Sequence, residues 1–103
     1  MSYFVNTILL EINRMSALRD VYENQLTNLP KGSVQIKDRN GKIYYYLVYR
    51  NNGRVISEYA GNDEAVIAEL KEQLERRKCI SNLLKRINSE LSLMNKAMET
   101  VRR

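Results

Sequence analysis

Apolar residues recur at three- and four-residue steps near both ends of this chain, and between them the period changes to two. Ile8, Ile12, Met15, Leu18, Tyr22, Leu26 and Leu29 share one face of a helix expected over residues 3–28. Ser2 is a weak candidate cap. Pro30 ends the helix, because it disfavours helical geometry at Leu29 and has no backbone N–H to donate. From Leu29 to Gly61 the chain reads LPKGSVQIKDRNGKIYYYLVYRNNGRVISEYAG. Arg39-Asn40-Gly41 and Asn51-Asn52-Gly53 are hairpin-turn signals, since Asn and Gly accept the positive φ angles such turns demand. They divide the stretch into strands expected at 33–38, 42–50 and 54–60, a three-stranded antiparallel β-meander.

The last stretch, 62–102, has no Gly or Pro and reads as one helix, capped by Asn62 or Asp63. Its first turns are acidic, which suits a helix N-terminus, and Asp63, Glu64, Glu69, Glu72 and Glu75 precede a basic block. From Ile80 the apolar spacing is heptad: Ile80, Leu84, Ile87, Leu91, Met94, Met98 and Val101. The expected fold is α+β in the order α-β-β-β-α, a single domain over 1–103 with its helices paired antiparallel as a coiled coil. At 1.5 Å per residue the second helix spans roughly 60 Å and the first roughly 40 Å. An overhang would leave Leu91, Met94, Met98 and Val101 in need of a partner, either a homodimer through this seam or a groove on another protein.

Alternation assigns the sheet faces. A two-residue Asn40-Gly41 loop sets Ile36 opposite Tyr45 and Val34 opposite Leu47; with Ile43 and Tyr49 these make an apolar face. For the second hairpin a three-residue Asn51-Asn52-Gly53 loop is preferred, because it adds Val55 and Tyr59 to that face; a two-residue loop would add Ile56 and Glu58 instead. The opposite face then carries Gln35, Lys37, Lys42, Tyr44, Tyr46, Val48, Arg50, Arg54, Ile56 and Glu58.

Composition narrows the functional classes. Lys and Arg number 17 against 12 Asp and Glu, a net charge of +5, which suits an acidic partner such as nucleic acid or an acidic protein surface. There is no histidine, so the commonest general base and metal ligand are missing. One cysteine and scattered carboxylates do not make a zinc site. Lys31-Gly32-Ser33 lacks the preceding glycine of a phosphate loop and leads into a strand. These features predict a non-enzyme with no cofactor. Cys79, the only cysteine, implies a reducing compartment and is expected to be packed or half-buried on its helix, despite basic neighbours that favour its thiolate. No apolar run approaches the ~20 residues that cross a bilayer, and the N-terminus lacks the marks of a signal peptide, so a cytoplasmic protein without membrane contact is expected.

What remains is binding. Tyr44 and Tyr46 among Lys37, Lys42, Arg50 and Arg54 have the make-up of a stacking platform, with rings for bases and cations for phosphates. The plainer alternative is that tyrosine is a good strand residue and lysine guards an exposed edge against aggregation. Arg76, Arg77, Lys78, Lys85 and Arg86 form a second candidate patch, or simply a solvated helix face.

Leu29 to Ser33, Asn40 to Lys42, Tyr44 to Tyr46, Tyr49-Arg50, Gly53, and Ser57, Tyr59 and Gly61 resemble the shared pattern of a family of small uncharacterised prokaryotic proteins, which implies no catalytic residues. The chain as a whole is similar to type II anti-CRISPR proteins, small inhibitors of Cas9 carried by mobile elements. That resemblance implies a non-enzymatic protein that binds Cas9 or its guide-RNA complex and hinders guide-RNA loading or DNA engagement. The positive charge disfavours DNA mimicry as its mode, since a DNA mimic is acidic.

Overall fold

The computed structural model describes residues 2–102. Helix α1 (Tyr3–Thr27) is followed by β1 (Ser33–Arg39), β2 (Lys42–Asn51), β3 (Arg54–Gly61) and the long helix α2 (Glu64–Arg102), which gives the expected α-β-β-β-α order. The chain divides into two compact units, one of residues 1–28 with 79–103 and the other of residues 29–78, so α2 contributes to both.

In the helical unit the Ser2 hydroxyl accepts from the Val5 amide at 3.2 Å and caps α1. Past its other end, the Asn28 amide donates to the Gln25 carbonyl at 3.1 Å, just before Pro30 forbids another turn. Met15 packs with Ile87 and Leu91, and Ile12, Leu18, Tyr22 and Met94 close around them. Along the heptad series Ile80, Leu84, Ile87, Leu91 and Met98 are buried. The seam expected to stand uncovered is therefore largely occupied within the chain. Met94 joins the Met15 cluster, and of the four residues expected in the overhang only Val101 is exposed. The reason is that α1 spends its apolar face on this part of α2, where both helices carry matching rows of large side chains.

In the sheet unit the strands lie in the order β1-β2-β3, all antiparallel. The first hairpin has the expected register, with Ile36 opposite Tyr45 and Val34 opposite Leu47. Its two-residue turn holds Asn40 at φ 56° and Gly41 at φ 81°, the type I′ geometry whose twist matches the strands. The second hairpin corrects the sequence reading. Asn51 pairs with Arg54, so its loop is the two residues Asn52 and Gly53, both at positive φ. Tyr49 then faces Ile56, and Leu47 faces Glu58. A register shift between Tyr45 and Tyr46 sets Tyr46 opposite Tyr59 and Tyr45 opposite Gly61, leaving Ala60 as the extra residue of a bulge.

The first turns of α2 cover one sheet face. The Asp63 carboxylate accepts from the Ala65 amide at 2.9 Å and caps the helix. Ile67 and Leu74 are buried, and Lys71 reaches the Tyr45 ring at 6.0 Å. The Arg77 guanidinium donates to the Leu29 carbonyl at 2.8 Å and so ties the loop before β1 to α2. Gly32, in the same loop, has φ 113°, and an added Cβ would sit 2.2 Å from the Val48 carbonyl oxygen. Toward the first turn the cover runs out, and Ile36 and Ile43 are exposed.

Candidate functional site

The uncovered sheet face is built from alternate positions of all three strands. Cross-strand pairing puts Gln35, Lys37 and Arg39 of β1 beside Tyr46, Tyr44 and Lys42 of β2, and Val55, Ser57 and Tyr59 of β3 beside Arg50, Val48 and Tyr46. Of the cations predicted here, Lys37, Lys42 and Arg50 share this face with Tyr44 and Tyr46. Arg54 does not. It pairs with Asn51, on the side of Tyr49 and Ile56, because the second loop is one residue shorter than expected. Ile56 and Glu58 move to that side with it. Val55 and Tyr59, expected on the covered face, replace them.

The correction sharpens the electrostatics. With Glu58 gone, the charged side chains of the open face are Lys37, Arg39, Lys42 and Arg50, all cationic, whereas the covered face holds Asp38, Arg54 and Glu58. Arg39 was identifiable in the sequence, since a two-residue turn at Asn40-Gly41 necessarily pairs it with Lys42. Tyr59 was hidden by the loop length alone, since the two-residue turn by itself sets it opposite Tyr46 and the bulge lies beyond it.

Tyr59 completes an aromatic cluster. Its ring centroid lies 6.1 Å from that of Tyr44 and 5.6 Å from that of Tyr46, with the planes tilted by 55° and 58°. The Lys37 ammonium stands 4.5 Å from the centre of the Tyr46 ring, a cation–π contact. Arg39, Asn40, Lys42 and the three tyrosines line an open groove of about 660 Å³, large enough for a nucleotide-sized ligand. On the covered face Tyr49 donates its hydroxyl to Glu58 at 2.5 Å, and this bond raises the Tyr49 pKa above the ordinary phenol value.

The residues of the second predicted patch are divided between the two units. Arg76, Arg77 and Lys78 belong to the sheet unit, whereas Lys85 and Arg86 belong to the helical unit. Arg77 is engaged with Leu29, Lys78 borders a small groove beside Gly32 and Leu74, and Arg86 lines another with Met15 and Glu90. Of the predicted helix-pairing seam, Ile80, Leu84, Ile87, Leu91 and Met98 are buried and Met94 packs against them. Cys79, expected to be packed, is exposed. The heptad face turns inward at Ile80, which leaves its neighbour outside.

Fold and site together define a small α+β protein that presents a cationic, tyrosine-lined sheet face. Residues 12–72, more than half of the chain, match the model of a domain of unknown function, DUF6788, and the protein belongs to that family. The match takes in all three strands and the start of α2. No curated protein and no solved structure matches the chain. Among the described residues no helix is long and apolar enough to cross a membrane.

Proposed function

We propose that this protein binds nucleic acid, without turning it over, through the open face of its sheet. One observation carries the reading: the charged groups of that face are four cations and no anion, arranged around three tyrosines. Cations neutralise phosphates and release condensed counterions, and each such contact steepens the fall of affinity with salt by a log–log slope of about 0.7–0.9. The test is binding of fluorescein-labelled oligonucleotide across a salt series. A slope near −3 is expected if all four cations engage, at about 0.7–0.9 for each. Replacing Lys37, Arg39, Lys42 and Arg50 by Glu should abolish binding, whereas Arg54→Glu, on the other face, should leave most of it. Binding that survives the quadruple change ends the proposal.

The resemblance to anti-CRISPR proteins supplies a second reading, an inhibitor that binds Cas9 before its guide RNA does. A cationic face able to compete for that RNA is the feature in its favour. Co-elution with guide-free Cas9 is expected under this reading, and its absence removes it. Oligomerisation through the end of α2 has less support, because Leu91 and Met98 are already buried within the chain.

A further inference from the structure

We infer that the ligand of the open face is an unpaired strand rather than a duplex, with Tyr59 as the ring on which a base stacks. This rests on the nucleic-acid reading and specifies its substrate. Tyr44, Tyr46 and Tyr59 form the centre, while Arg39 and Lys42 stand at the first-turn end of the groove and Lys37 lies along β1.

A duplex presents base edges in its grooves, and these are read by guanidinium, amide and other hydrogen-bonding groups. Its base faces are buried in the stack, so a cluster of rings has nothing to engage there. Unpaired bases are different, because every base has a π-face and aromatic side chains receive it with little regard to sequence. A centre of rings with a cationic margin therefore fits an unstacked strand whose phosphates lie toward Lys37, Arg39 and Lys42.

The three rings are not equivalent. Tyr46 already carries the Lys37 ammonium over its ring, and Tyr44 and Tyr46 are both half-buried. Tyr59 leans against both neighbours, yet it is 58% exposed. It is a ring braced on one side and open on the other, which is what stacking needs.

The experiment compares a labelled strand of about 12 nucleotides, within the roughly 4–16 that single-strand sites accept, with the duplex of the same sequence. Fluorescence anisotropy should show the strand binding about tenfold tighter or more. Tyr59→Leu keeps apolar bulk against Tyr44 and Tyr46 but removes the aromatic face, and it should weaken strand binding about fivefold or more, consistent with the cost of losing one stacked base. Tyr59→Phe should retain the wild-type affinity, and the duplex should respond to neither change. Circular dichroism confirms that each variant is folded. Equal or tighter duplex binding, or a Tyr59→Leu variant that binds the strand as well as the wild type, overturns this inference while leaving the phosphate-binding reading intact, provided that the charge-reversed quadruple variant still fails to bind. No binding of either oligonucleotide at low salt overturns both.

Discussion

The buried apolar side chains are divided unevenly between the two units. Met15, Ile80, Leu84, Ile87, Leu91 and Met98 lie in the helical unit, while Ile67 and Leu74 lie in the sheet unit. The sheet unit instead keeps its large side chains at intermediate depth, among them Tyr44, Tyr45, Tyr46, Leu47 and Tyr49 along β2. A helix pair closes by interlocking rows of side chains and can bury both apolar faces. A three-stranded sheet with a helix on one side leaves the other side in water. The helical unit is thus suited to stability, and the sheet unit to display.

The first test of this division removes bulk from the helical unit. Ile87→Ala, at a position only 5% exposed, should destabilise the protein by about 3 kcal/mol in urea unfolding, as truncations in packed cores do. A cost under about 1 kcal/mol would mean that the unit tolerates cavities and is not the main source of stability. The next test strikes the sheet unit through its backbone. Gly32→Ala places a Cβ against the Val48 carbonyl and forces an alanine into a left-handed conformation, so a cost of about 2 kcal/mol is expected. Its effect should be read at the amides of β1 and β2 by hydrogen exchange. Uniform loss of protection in both units would dissolve the distinction between them.

The smallest effect concerns Tyr49. Its hydroxyl donates to Glu58, so folding favours the protonated phenol and raises its pKa. A raised pKa means that the bond's contribution is complete below the unfolded value, about 10, and is lost as pH climbs through the folded one. Tyr49→Phe should therefore abolish the part of the alkaline stability loss that begins near pH 10, while changing little at neutral pH. Unchanged alkaline unfolding in the variant would show that the hydroxyl does not stay bonded to Glu58 in solution.

Element order, turn positions and the first hairpin's register were all legible in the sequence, because each rests on local chemistry. Pro30 lacks the N–H that another helical turn would need, and Asn40-Gly41 readily accepts the positive φ angles of a tight hairpin turn. The second hairpin was harder, since Asn51-Asn52-Gly53 allows two loop lengths and the choice reverses every side chain of β3. Apolar content argued for placing Val55 and Tyr59 inward. The structure places them outward, because the positive φ angles of Asn52 and Gly53 complete the tighter two-residue turn, and its register alone sets Val55 opposite Arg50 and Tyr59 opposite Tyr46; the bulge at Ala60 comes only after Tyr59.

The sequence alone thus determined which segments are helix and which are strand, and that the meander is rich in tyrosine and cationic groups. Alternation already put Lys37, Lys42 and Arg50 on one face and the first turn adds Arg39 to it, but that Tyr59 joins the tyrosines there while Arg54 and Glu58 leave was decided only by tertiary structure. The physical reason is that strand register has a period of two. A single residue gained or lost in a loop or bulge moves a side chain through the sheet, and only packing against α2 on one side and solvent on the other settles which arrangement has the lower free energy.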